Sequence, residues 1–250
     1  MFHCIQKTIF PQWLSGSFMF PEQLHLRFRC VDTKKVSQWP PVSPLDHMVG
    51  KARCNRSDYS CHAFFGSYRF SVSIVQYGVP RIRDVRLENS QGKVITQREN
   101  ARDYFTFGRR LFYWDDMDMA YFANYAFWNY FTFPVLLMNE EIVWEEKSPE
   151  IIQATFPDRI PTHSRVQFFH FNAENGLLFQ HDYTADIISK HAKAANVILK
   201  YDERDCLLFP SLRRVTPRTR KGHPLTRPVL IEIKVHDIKL INTSNANGST

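Results

Sequence analysis

His163, Arg165, Gln167, His181 and Tyr183 are the residues of this chain whose types and spacing could act together. They fall in two stretches, Thr162 to Phe171 and Leu177 to Asp186, on either side of Asn172-Ala-Glu-Asn-Gly176. Asn-Gly supplies the positive φ that a tight connection needs, so the pair is expected to form a β-hairpin. A five-residue loop sets Phe171 opposite Leu177, Phe169 opposite Phe179, Gln167 opposite His181 and Arg165 opposite Tyr183. One face then has an apolar floor (Phe169, Phe171, Leu177, Phe179) and a polar end (His163, Arg165, Gln167, His181, Tyr183). A ligand pocket is lined in this way, because bulk burial gives affinity and a few converging donors give orientation. The other assignment turns this face to solvent and sends Ser164, Val166, Phe168 and Leu178 inward.

In a pocket, His181 is the proton-transfer group, with an ordinary pKa of ~6.5, and Tyr183 or Arg165 would polarise a carbonyl. A lone histidine in a sheet is more often a structural residue. Asp182 and Asp186 alternate to the opposite side and cannot orient His181. A metal site built from His163, His170, His181 and His191 fails on geometry, because His170 points away from His163 and His181 in an unbroken strand. No GxSxG, HExxH, P-loop or GxGxxG pattern occurs, and no metal or cofactor is expected.

The element that must position these residues is Trp114 to Phe133, closed by Pro134. Met117, Ala120, Tyr121, Asn124, Trp128 and Phe131 keep the spacing of one helix face, and Phe122, Tyr125, Ala126, Phe127 and Phe133 fill the others. Asp115 and Asp116 favour a helix start, and Pro134 ends the bond pattern. A helix apolar almost all round must be covered on more than one side, by protein throughout or by protein and a lipophilic ligand. Under the ligand alternative, Trp114, Tyr121, Tyr125 and Trp128 line a cavity with His163, Gln167, Phe169 and Phe179.

Around this helix the chain reads as mainly β (α+β): a curved antiparallel sheet or half-barrel of about eight to ten strands wrapped about one or two aromatic-rich helices. A single domain spans 1–250. Its parts are an irregular region 1–62 with one strand at Leu24 to Val31, first strands over 63–113, the central helix 114–138, C-terminal strands over 139–241 and a flexible tail 242–250. Residues 33–62, rich in proline and aperiodic, are expected to be a surface excursion.

The formal net charge is +7 with a pI near 9.2, and 44% of residues are hydrophobic. The one concentrated basic run is Arg213 to Arg227, either a contact for an acidic or phosphate-bearing partner or a solvated loop. It has no interleaved aromatics to stack bases, so no nucleic-acid partner is expected. One of Arg213 and Arg214 should face the sheet interior, where Asp186 or Asp202 would have to meet it. Five cysteines without zinc spacing suit reduced thiols and a cytoplasmic setting, although Cys54 and Cys61 could pair. No membrane span is expected, because no run of ~20 apolar residues is free of charge.

Several motifs recur in a known order: Trp114-Asp-Asp, Ala120-Tyr-Phe-Ala-Asn-Tyr-Ala-Phe-Trp128, Phe156-Pro-Asp-Arg-Ile-Pro-Thr-His-Ser-Arg165, His181-Asp-Tyr-Thr-Ala-Asp186 and Phe209-Pro-Ser-Leu-Arg-Arg-Val-Thr-Pro-Arg218. Over roughly residues 100 to 240 the chain resembles a family of uncharacterised, mostly bacterial proteins, and looks like a fungal member. The resemblance implies an antiparallel half-barrel similar to lipoprotein carriers, curled round a helix. Two departures stand out: Asp205-Cys206 replaces the family's Asp-Gly, and the first hundred residues match poorly. Two functions follow as expectations. One is binding of a small lipophilic molecule between the concave sheet and the helix. The other is a cofactor-independent isomerase or cyclase of fungal secondary metabolism, in which positioning and His181, Tyr183 or Arg165 would do the chemistry.

Overall fold

The computed structural model describes the backbone of residues 23–31, 49–55, 60–65, 68–73, 84–89, 91, 93–107, 114–133, 135–204 and 207–241, and from residue 84 onward their side chains, save those of 116, 135, 207, 236, 237 and 239–241. The aromatic N-terminal segment and the tail 242–250 lie outside the described residues.

Among the described residues thirteen strands form one antiparallel sheet. Six precede the helix: β1 (Gln23–Val31), β2 (Val49–Asn55), β3 (Ser60–Phe65), β4 (Tyr68–Ser73), β5 (Val85–Glu88) and β6 (Val94–Arg98). Seven follow it: β7 (Val143–Ser148), β8 (Ile151–Thr155), β9 (Val166–Phe171), β10 (Leu178–Thr184), β11 (Lys193–Arg204), β12 (Leu207–Pro217) and β13 (Ile231–Ile241). The order is β6-β5-β4-β3-β2-β1-β13-β12-β11-β10-β9-β8-β7. Two meanders therefore join at one seam, β1 against β13, and the curved sheet stays open with β6 and β7 at its edges.

The strand count exceeds the sequence expectation because β2 lies within 33–62, the stretch expected to be an irregular excursion, and β3 begins in it. In Val49-Gly-Lys-Ala-Arg-Cys-Asn55 the residues that alternate with Lys51, Arg53 and Asn55 are Gly50, Ala52 and Cys54, too small to mark a strand face. The segment's strand state comes from backbone pairing with β1 and β3, a tertiary cause that periodicity does not carry. The same register sets Cys54 directly opposite Cys61.

The helix α1 (Asp116–Thr132) starts where a carboxylate can cap it. Asp115 accepts from the Asp118 amide at 2.9 Å, and the Asp118 carboxylate accepts from the Asp115 amide at 3.1 Å, so two otherwise orphaned donors are satisfied reciprocally. Arg98 of β6 bridges both carboxylates, at 2.5 Å to Asp115 and 2.7 Å to Asp118. At the other end the backbone turns extended at Phe133 before Pro134, and the last turn holds no basic residue of its own. Arg213 of β12 fills that role. Its Nη2 donates to the Tyr130 carbonyl at 2.9 Å, and its guanidinium lies over the Tyr130 and Phe131 rings at 5.4 and 5.6 Å. Unpaired carbonyls and the negative end of the helix dipole favour a cation there.

Arg213 is 2% exposed, and burial pushes its pKa down to about 10. The expectation of Asp186 or Asp202 as its partner is corrected: Asp202 pairs with Lys200, and no carboxylate among the described residues meets Arg213. Arg214 faces outward and pairs with Glu232. The helix is thus held at one end from each meander. Its backbone runs closest to β2–β5, while its side chains pack on β9 and β10 across the concavity.

Candidate functional site

His163 is the centre of the interior group. It stands in the connection that leads from β8 into β9, wholly buried, with its ring stacked on Tyr183 at 3.7 Å and 6°. Phe122 and Tyr125 of α1 meet it edge-on at 5.6 and 5.1 Å, and the Tyr130 ring lies 5.4 Å away. Neither ring nitrogen of His163 has a hydrogen-bond partner. Burial holds its pKa well below the ordinary value, with the nearby Arg102 charge adding to the effect, so the ring is neutral. A neutral imidazole still carries one donor and one acceptor, and a buried polar group left unpaired costs about 1–3 kcal/mol. The Tyr125 hydroxyl and the Asn129 carboxamide oxygen, both on the same side of α1, are also buried without a partner.

A hydrogen-bonded chain runs beside this centre. Asn129 donates to the Thr162 hydroxyl at 3.0 Å, and Gln167 donates to the same oxygen at 2.6 Å and to the Ser164 carbonyl at 2.8 Å. A carbonyl can only accept, so the Gln167 amide nitrogen is fixed there and its oxygen faces His181, whose Nε2 lies 2.6 Å away. His181 must therefore donate from Nε2, which leaves Nδ1 as its unprotonated nitrogen. Burial lowers the pKa of His181 well below its ordinary value, with His163 and Arg213 contributing. The Tyr183 and Tyr130 hydroxyls share a 2.6 Å bond, and burial raises the pKa of both phenols. The inner wall at neutral pH is thus uncharged apart from Arg213 and from Arg102, which donates to the Thr162 carbonyl at 3.2 Å.

The hairpin does not take the expected register. Phe171 pairs with Leu178 and Phe169 with His181, and a bulge falls between Leu178 and Gln180. Asn172 causes the shift: its side chain accepts from the Glu174 amide at 2.7 Å and its backbone amide bonds Leu177, winding a loop one residue longer than expected. Gly176 takes the positive φ that the sequence required, at 69°. Gln167 still reaches His181, as a diagonal rather than a direct neighbour. Phe179, at the bulge, is corrected from lining to surface, 41% exposed. Arg165 is corrected likewise: its side chain is 65% exposed and lies 3.8 Å from the Asp158 carboxylate. His163, Gln167, Phe169, His181 and Tyr183 are brought together, with Phe169 stacked on His181 at 4.3 Å. Tyr121 and Tyr125 join them through ring contacts that continue to Phe105 and Trp114. Trp128 is buried as well, while the rings that meet His163 are those of Phe122, Tyr125, Tyr130 and Tyr183.

The outer face of the same hairpin is buried too. Asp182 accepts from Gln180 at 2.8 Å, lies 3.2 Å from His170 Nε2 and forms an ion pair with Arg218 at 3.5 Å. Gln180 also donates to the Gly222 carbonyl at 2.9 Å, so the loop after β12 is drawn over β10. A shallow cleft of about 320 Å³ opens elsewhere, beside β7, lined by Leu137, Met138, Asn139, Glu140, Ile142 and Trp144.

No protein-family profile matches the chain, and no curated protein matches it. Among solved structures, a DUF1329 family protein from Desulfovibrio piger is similar over 98% of this chain and 93% of its own, with a TM-score of 0.46 and 11% identity. A LolA superfamily protein from Nitrosomonas europaea aligns with all of this chain and 96% of its own, at a TM-score of 0.39 and 10% identity. A putative outer membrane lipoprotein-sorting protein domain from Vibrio parahaemolyticus covers 90% and 89%, at 0.40 and 5%.

Sequence reasoning missed Asn129, Tyr130, Thr162 and Arg102. Asn129 carried a signal, since an amide inside an otherwise apolar helix must find a partner or a use. Thr162 and Arg102 carried none, because only the tertiary fold brings their segments to α1.

Proposed function

We propose that the protein binds a small lipophilic molecule between the concave face of the sheet and the aromatic helix. The supporting observation is His163, fully buried and ringed by aromatic side chains, with neither nitrogen hydrogen-bonded and the Tyr125 hydroxyl and Asn129 oxygen unpartnered on the facing helix. Aromatic rings offer apolar area, and these polar atoms offer a ligand both donors and an acceptor. A lipophile with one hydroxyl, carbonyl or carboxyl group fits this combination better than a plain hydrocarbon.

The test is titration with a fluorescent long-chain acid, followed by energy transfer from tryptophan. Saturable binding, weakened about three- to tenfold in Tyr125→Phe and His163→Phe, supports the reading. If no fatty acid, fatty alcohol or sterol binds saturably, the interior is a solid core and the proposal falls.

A second reading, a cofactor-independent isomerase or cyclase, is favoured by one observation: the Gln167 contact leaves His181 Nδ1 as an unprotonated base. It requires that His181→Asn keep ligand affinity and lose turnover; equal product formation by both proteins would exclude it.

A further inference from the structure

The loop that closes the outer face of the hairpin has a second side, which faces solvent. From Cys206 to Ile231 the chain contains no aspartate or glutamate. Three of the arginines in this stretch already have partners, Arg213 in the Tyr130 carbonyl, Arg214 in Glu232 and Arg218 in Asp182. Arg220, Lys221 and Arg227 are exposed and meet no carboxylate among the described residues. Leu225 and Leu230, each 42% exposed, stand among these cations.

The loop is held in shape. The Thr219 amide donates to the His223 carbonyl at 2.9 Å, Leu225 donates to Pro217 at 2.8 Å, and Gln180 grips the Gly222 carbonyl. Its base is tied to β11 by the Arg218 amide on the Lys193 carbonyl, which adds a further exposed cation beside the patch. A rigid loop that presents unpaired cations with leucines between them complements a surface that is anionic outside and apolar beneath. We infer that residues 218–230 dock the protein on an anionic lipid bilayer. A polyanion such as RNA would use the cations and leave the leucines idle, and no aromatic residue is present to stack bases.

The experiment is co-sedimentation of the full chain, without added ligand, with vesicles of phosphatidylcholine alone or with phosphatidylglycerol. Binding is expected only to the anionic vesicles and should fall as salt is raised. Each cation is expected to contribute about fivefold to partitioning, so the combined Arg220→Ser, Lys221→Ser and Arg227→Ser variant should lose on the order of a hundredfold. Leu225→Ser with Leu230→Ser should weaken binding severalfold at an unchanged melting temperature. Equal binding to both vesicle types, or indifference to the triple substitution, overturns the inference. Release by inorganic phosphate at constant ionic strength would also overturn it, assigning the loop to free phosphate, as would tight binding of single-stranded RNA without vesicle binding. None of these outcomes depends on occupancy of the interior, so failure here leaves the lipophile-binding proposal standing.

Discussion

The two faces of the β9–β10 hairpin bury polar groups by opposite means. On the outer face the carboxylate of Asp182 is surrounded by three partners, His170, Gln180 and Arg218. On the inner face His163 has none, His181 has Gln167, and Tyr183 shares its hydroxyl with Tyr130. A buried charge is tolerated only when paired, whereas neutral imidazoles and phenols can be kept partly unsatisfied at a cost of a few kcal/mol. The outer face is therefore built as a joint, and the inner face keeps polar atoms to spare.

Truncation at the stacked inner ring should break this contrast most severely. Phe169→Ala removes a side chain packed between His181 and Phe133, and urea unfolding should report a loss of about 4 kcal/mol. Next, Asp182→Ala strands Arg218 and Gln180 and should cost about 3 kcal/mol. Hydrogen exchange should then quicken over residues 219–225 and stay slow in α1. If both regions quicken alike, the two faces are not separate devices.

Acid should separate the faces further. Burial holds His163 and His181 below their ordinary pKa, so the unfolded chain takes up protons first as pH falls through ~6.5. Stability should be level above that pH and decline below it, by up to about 1.4 kcal/mol per pH unit for each histidine. His163→Phe should halve the slope; an unchanged slope would place the uptake elsewhere. The smallest effect is Tyr183→Phe, which leaves Tyr130 without its 2.6 Å partner and should cost about 1 kcal/mol in thermal unfolding.

Much of this arrangement was legible in the sequence, and the part that was not has definite causes. Asp115 and Pro134 bracket the helix because capping and proline sterics are local. Strand alternation identified Gln167, Phe169, His181 and Tyr183 as sharing a face. The register failed by one residue at Phe171 because Asn172 lengthened the loop, and by two at Phe169 because nothing in Leu178-Phe-Gln180 announces the bulge that also misplaced Phe179. The buried state of Arg213 was half legible: one inward arginine was foreseen, but a helix C-terminus as its partner requires tertiary knowledge.

The seam between β1 and β13 also has a consequence for how the chain acquires its shape. Every other neighbouring pair of strands is also adjacent in sequence, so each meander can zip from local contacts. Gln23 must wait for Ile241 to emerge before β1 gains its second neighbour. During synthesis β1 is thus a waiting edge, and the closing of one ladder once β13 has emerged commits both halves to a common structure.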